Sequence, residues 1–288
     1  MTTALIIIAI IAIAVLLFGL AVRYGFRAPR IKETGDPADY GLNFKAVNIP
    51  GKNGANLFGW HILASDKPAT PTILIMHGWG VNAEVILPVA VPLCKAGYNA
   101  LLLDARNHGS SDSGGHSSMP TFAEDIESGL DWLKQQPETG KIALLGHSVG
   151  AAATLLVASR RHDMEAVISI ASFAHPEWLM QRYLQSLHLP KWLIALVLRY
   201  VERIIGHRFD DIAPINTRCK ITCPVLLVHG DADKTIPVKD LQAIADNCKG
   251  HKAEILLIPD GDHDSVDKIE QHSTELLSFL DRTMPRNL

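Results

Sequence analysis

Six short apolar runs constrain this chain more than any other feature: residues 72–76, 100–103, 142–145, 166–170, 225–228 and 254–258. Each has the length of a strand. Continuous apolar runs of this kind suit strands buried on both faces, as in a parallel sheet covered by helices. Helical patterns fill the gaps, for example over 122–135 and 151–159. Upstream, residues 44–49 and 57–63 are β-rich and are separated by Gly51-Lys52-Asn53-Gly54, which predicts a hairpin. The alternation predicts an α/β fold, an open and mostly parallel doubly wound sheet with its ligand crevice at the strand C-terminal ends. With 288 residues, 48% of them hydrophobic and 20% charged, the chain is long enough and apolar enough to bury such a core.

Charge and cysteine usage exclude several classes. The 27 Lys and Arg against 30 Asp and Glu leave a net charge of −3, without the basic footprint of a nucleic-acid binder. Four cysteines in a chain this long do not make a disulfide scaffold. Cys94, Cys219, Cys223 and Cys248 contain no pair with metal-ligand spacing, so no zinc site is expected.

Ahead of the sheet lies a different kind of segment. Ala4 to Val22 is 19 residues without a charge or a hydrogen-bonding side chain. As a helix it reaches about 28 Å, close to the thickness of a bilayer's hydrocarbon core. A cleaved signal peptide fits less well, because Met1-Thr2-Thr3 offers no basic start, the run is long and no small-x-small site follows. A single-pass membrane anchor over 4–22 is the expectation. Arg23, Arg27, Arg30 and Lys32 all follow it, which places the rest of the chain on the cytoplasmic side. Residues 23–42, polar and containing Pro and Gly, read as a linker, and residues 43–288 as one α/β domain.

The strongest chemical signal is Gly146-His147-Ser148-Val149-Gly150, directly after one predicted strand and directly before an Ala-rich helix. A serine on such a sharp turn is lifted above the sheet, and small flanking residues let the chain pass close by. The helix start behind it favours developing negative charge.

With His77-Gly78-Trp79-Gly80, Asp104-Ala105-Arg106-Asn107-His108-Gly109, His229-Gly230-Asp231-Ala232-Asp233 and Asp260-Gly261-Asp262-His263, the motif occurs in the order found in α/β-hydrolases. Over about residues 44–283 the chain resembles the serine esterase, lipase and peptidase-like members of that superfamily that carry an N-terminal anchor. The resemblance implies a triad. Ser148 is the nucleophile, and it needs a base to take its proton. His263, in the loop after the last predicted strand, matches the family's histidine. Among 13 histidines its rivals are poorly placed: His147 adjoins the serine, His251 precedes the last strand and His272 falls in the final helix. Asp233 follows the strand at 225–228 and is the acid that fixes the imidazole. Asp231 nearby suits a turn, and Asp262 and Asp264 flank His263 too closely to face its ring.

The oxyanion hole requires two backbone N–H groups. Val149 supplies one, and the match of His77-Gly78-Trp79-Gly80 to the family's oxyanion loop makes Trp79 the other. Arg106 and His108 are expected to serve structure. The long interval between the last two groups of strands predicts a helical cap at about 173–214, with Pro190 starting its second helix. Trp192, Leu193, Leu196, Val197, Tyr200, Val201 and Ile204 make an apolar stripe there, widened by Ile194 and Leu198. That stripe either packs on the domain, lines an acyl-chain pocket or touches the bilayer. The expected function is therefore a membrane-anchored serine hydrolase acting on a hydrophobic acyl ester, thioester or amide through an acyl-enzyme. No cofactor or metal is implied, since the serine supplies the covalent step. An acyltransferase with the same triad, or a tethered binding protein that has kept the fold, are the alternatives.

Overall fold

The computed structural model describes residues 2–65, 67–248 and 252–286. The chain begins with helix α1 (Thr2–Gly25), followed by strands β1 (Phe44–Pro50), β2 (Asn56–Ile62) and β3 (Thr70–Met76). Then α2 (Ala83–Lys95), β4 (Asn99–Leu103), α3 (Met119–Leu133), β5 (Thr139–His147), α4 (Val149–Ala158) and β6 (Ala166–Ile170) alternate. Four helices form the insertion: α5 (Pro176–Ser186), α6 (Lys191–Ile205), α7 (Phe209–Ile212) and α8 (Pro214–Thr217). The chain closes with β7 (Val225–Gly230), α9 (Val238–Asp246), β8 (Glu254–Ile258), α10 (Val266–Gln271) and α11 (Ser273–Thr283).

The eight strands form one sheet in the order β1-β2-β4-β3-β5-β6-β7-β8. β2 runs antiparallel to both neighbours, pairing Gly59 with Leu103 in β4. From β4 onward every pairing is parallel. The expected hairpin forms, and Asn53 in its turn takes the left-handed conformation, with φ 59°. Because β3, β4 and β6 are buried at every position, their side chains feed cores on both faces. One core joins Leu74, Leu101 and Leu144 to α3, α4 and α9. The other joins Ile73, Leu102 and Leu145 to α2 and α11. A sheet covered on both sides leaves only its strand ends free to carry chemistry.

Residues 23–42 are not the linker that their composition suggests. Ala28 and Pro37 are buried, and Asp36 caps a short helical turn at Pro37–Tyr40. The Arg30 side chain donates to Gly109 O, Ser111 O and Ser113 Oγ. The amides of Thr34 and Gly35 donate to the Glu84 carboxylate at 2.7 and 3.0 Å. A polar stretch reads as a linker when its polar groups face water; here they bond to the domain.

The helix expected over 4–22 forms as α1, and Leu5, Ile6, Ile10, Ile13, Leu16 and Leu17 are all exposed. Among the described residues, which omit several α1 side chains, no helix is long and apolar enough to cross a membrane, and the anchor stays an expectation of the sequence. The last turns of α1 touch the insertion. Val22 is buried with Leu184, Ile194, Val197, Leu198 and Phe209, and Phe18 meets the Tyr200 ring at 5.5 Å.

Helices occupy the interval at 173–214 where a cap is expected, and Pro190 caps α6 rather than occupying its first turn. Its apolar stripe is split. Ile194, Val197 and Leu198 are buried against α1, α5 and α7, whereas Trp192 is 70% and Leu196 47% exposed. Packing on neighbouring helices takes up the centre of the stripe, and Ile194 and Leu198 also line a cavity shared with Glu177, Lys191, Arg199 and Glu202. Arg182 of α5 ties the cap to the core through a 2.9 Å ion pair with Asp240 of α9, whose side chain is fully buried. Cys219 and Cys248, whose spacing predicts no pairing, are joined in a disulfide.

Candidate active site

The turn at Ser148 is built by backbone constraint. Ser148 lies between β5 and α4 with φ 54° and ψ −115°, a conformation unfavourable for any residue with a Cβ. The glycines on either side have no alternative. A Cβ on Gly146 would come within 2.4 Å of Gly150 O, and one on Gly150 within 2.4 Å of His77 O. The Ser148 amide is fixed by donating to Ile170 O at 2.9 Å.

Three strand ends bring three side chains into one line. His263, in the loop after β8, places Nε2 2.9 Å from Ser148 Oγ. Its Nδ1 lies 2.8 Å from Asp233 Oδ2, beyond the end of β7. The Asp233 side chain is shielded from water, and its other oxygen accepts the amides of Thr235 and Ile236 at 2.9 and 2.8 Å. Burial alone pushes this carboxyl up. Hydrogen bonds from His229, His263 and the Ile236 amide outweigh it and hold Asp233 well below the usual carboxylate range. An ionised partner at Nδ1 leaves Nε2 free to accept the serine proton.

Two histidines missed at the sequence level complete the arrangement. His147 donates from Nε2 to the His263 carbonyl at 2.9 Å, so the residue beside the serine fixes the loop that carries His263. Burial and the neighbouring His263 lower its pKa to about 4, so it does this as a neutral ring. His229, at the end of β7, donates from Nε2 to Ile236 O at 2.7 Å and lies 3.4 Å from Asp233 Oδ2. Only its place in His229-Gly230-Asp231 signalled it, four residues before Asp233. Of the rivals, Asp231 accepts the Asp260 amide and Asp262 the Ser265 hydroxyl, both turn roles. His272 faces Glu275, and His251 lies outside the described residues.

The loop after β3 lies against Ser148. A Cβ on Gly78 would be 3.3 Å from Ser148 Cβ. The Trp79 ring stacks on Phe122 and meets His108 edge-on at 5.8 Å, so it packs beneath the site. Arg106 and His108 are structural, as expected. Arg106 is bound to Asp125 at 2.6 Å and Glu124 at 2.5 Å, and His108 Nδ1 donates to Arg106 O. Asp104 accepts the Ala83 and Ser110 amides, each at 2.8 Å. Burial and the neighbouring Glu33 push its pKa up to about 8. Among the described residues no group of three or more His, Cys, Asp or Glu is placed to hold a metal.

The pattern of the serine aminopeptidase S33 family of hydrolases matches residues 67–217, more than half of the chain. The chain belongs to this family. The uncharacterized protein YqkD of Bacillus subtilis is 31% identical to this hydrolase over 225 residues, covering 76% of the chain and 72% of YqkD. A thermostable monoacylglycerol lipase of a Bacillus strain is 23% identical over 207 residues, covering 66% of the chain and 82% of the lipase. Among solved structures, the Pyrococcus furiosus esterase PF2001 superposes with a TM-score of 0.73 at 26% identity, covering 90% of this chain and 98% of the esterase. The protein is an esterase- and lipase-like α/β-hydrolase.

Proposed function

We propose that the protein is a serine hydrolase that cleaves an acyl ester through an acyl-enzyme, with Ser148, His263 and Asp233 as its triad. The observation that carries this reading is the unbroken line Ser148 Oγ–His263–Asp233, at 2.9 and 2.8 Å, on a strained nucleophile turn. Ser148 attacks the acyl carbonyl as His263 Nε2 takes its proton. Asp233 stabilises the imidazolium, and the amides of Val149 and Trp79 hold the oxyanion. His263 then protonates the leaving group, and it activates the water that releases the acid. A hydrophobic acyl substrate is favoured by the kinship with a monoacylglycerol lipase and by the exposed apolar surface of α1 and α6.

A fluorophosphonate probe tests the assignment. The wild-type protein labels rapidly, Ser148→Ala does not label, and its turnover of a p-nitrophenyl ester falls by about 10⁶-fold. A folded wild-type protein that takes no label overturns the reading.

Residues 4–22 are a membrane anchor in this proposal, supported by their uncharged sequence and the exposed side chains of α1. Two features bear on the side of the membrane. The cations after the run favour the cytoplasm, but Arg30 is occupied by hydrogen bonds within the domain. The Cys219–Cys248 disulfide favours an oxidising compartment, and we place the domain there instead. Thiols alkylated in intact cells before lysis test this: a protected Cys219–Cys248 pair supports the placement, and an alkylated pair overturns it.

A further inference from the structure

The segment between α1 and β1 converges on the two loops that border the nucleophile. Pro29 packs on Gly80, where a Cβ would come within 2.7 Å of Pro29 Cγ. Gly80 has φ +74°, so the strap and the loop fit only because that position is glycine. Ile31 O accepts Asn82 Nδ2 at 3.2 Å, and Thr34 and Gly35 hold Glu84 at the start of α2. Arg30 spans Gly109, Ser111 and Ser113. Glu33 accepts Ser110 Oγ at 2.6 Å.

These contacts close into a circuit. Glu33 and Asp104 face each other across Gly109, where a Cβ would meet both Asp104 Oδ2, at 2.0 Å, and Glu33 Oε1, at 2.3 Å. Two carboxyl groups this close cannot both ionise without cost: burial and Glu33 push Asp104 up, and hydrogen bonds from Asp104 and Ser110 hold Glu33 down. Asp104 in turn accepts the Ala83 amide, which lies just beyond the 77–80 loop. The strap, the 104–113 loop and the oxyanion loop are thus three sides of one hydrogen-bonded frame. At its other end the strap leads back to α1, where the Phe26 ring meets Tyr183 of the cap at 6.1 Å.

We propose that residues 28–35 are a positioning element of the oxyanion hole, in which Arg30 and Glu33 hold the Trp79 loop at its working distance from Ser148. The inference rests on the assignment of the Trp79 amide as an oxyanion donor. That donor acts on charge that develops only in the tetrahedral state, so its displacement lowers kcat and leaves substrate binding nearly unchanged. The N-terminal segment then has a catalytic consequence separate from any tethering.

The test uses the full chain in detergent with p-nitrophenyl acetate, and each preparation is active-site titrated with a fluorophosphonate so that only folded enzyme counts. Arg30→Ala and Glu33→Ala lower kcat per titrated site at least ten-fold, with KM within two-fold of wild type. Glu33→Gln, which can still bridge Asp104 and Ser110, restores kcat to within about three-fold. Pro29→Gly replaces an exposed residue at little risk to folding, and it lowers kcat about three-fold with the same split. Wild-type kcat in Pro29→Gly and in the titratable alanine variants overturns the proposal, as does a loss that appears in KM alone. A wild-type protein that is neither labelled nor active instead overturns the hydrolase assignment.

Discussion

Asp233 follows β7 and Asp104 follows β4, at the same end of the sheet, and both are buried carboxyls that accept two backbone amides. Their ionisation differs. Asp233 is surrounded by donors, His263 and His229 among them, and is held ionised. Asp104 faces a second carboxyl, Glu33, and is pushed up to about 8. Burial acts upward on both. What separates them is the kind of neighbour: hydrogen-bond donors surround Asp233, whereas a second carboxyl stands beside Asp104.

The largest effect expected from breaking this contrast is in Asp233→Asn, which removes the charge facing His263. It lowers kcat by about 10⁴-fold, whereas Asp104→Asn leaves the triad intact and stays within about ten-fold of wild type. Steady-state turnover of a p-nitrophenyl ester separates the two, and equal losses would break the distinction. Next comes a third buried carboxylate, Asp240, whose charge is balanced by Arg182 across the cap interface. Arg182→Ala leaves that charge unpaired and costs about 3 kcal/mol of stability by urea unfolding. An unchanged midpoint would show that the cap does not depend on the pair.

A smaller effect belongs to His147. His147→Ala frees the His263 carbonyl and lowers kcat about ten-fold by misplacing the base, without abolishing labelling of Ser148. The smallest effect is in pH dependence. The raised pKa of Asp104 means that its contribution to stability is present at low pH and is lost as pH rises from about 4 through about 8. The lowered pKa of Asp233 works oppositely: its contribution is present above about pH 4 and is lost on acidification. Melting temperatures across this range should therefore decline on the alkaline side in wild type and flatten in Asp104→Asn. A flattened acid side in Asp233→Asn completes the comparison.

The sheet and the meeting of Ser148, Asp233 and His263 were legible because each leaves a local signature. All eight strands occur where apolar or β-rich runs predicted them, and 166–170 and 254–258 match residue for residue. Ser148, Asp233 and His263 each follow a strand, so chain order alone brings them to one end of the sheet. The strap was not legible. Its bonds reach from Arg30 to residues 79 to 83 positions away, and no spacing rule encodes such contacts. Cys219 and Cys248 are 29 residues apart, with no local pattern to join them. The α6 stripe was correctly placed on a helix, but periodicity does not say what covers it, and α1 took part of that role.

The backbone of Ser148 carries one more consequence. A residue with a Cβ held at φ 54° and ψ −115° costs of order 1–3 kcal/mol, which the surrounding fold must hold in check. Glycine at that position would relieve the strain, so Ser148→Gly should unfold at a higher urea concentration than wild type while losing all turnover. Selection for stability and selection for activity therefore meet in opposition at this one residue. A population of variants screened only for folding would drift away from the serine, and the fold would look healthier for having lost its purpose.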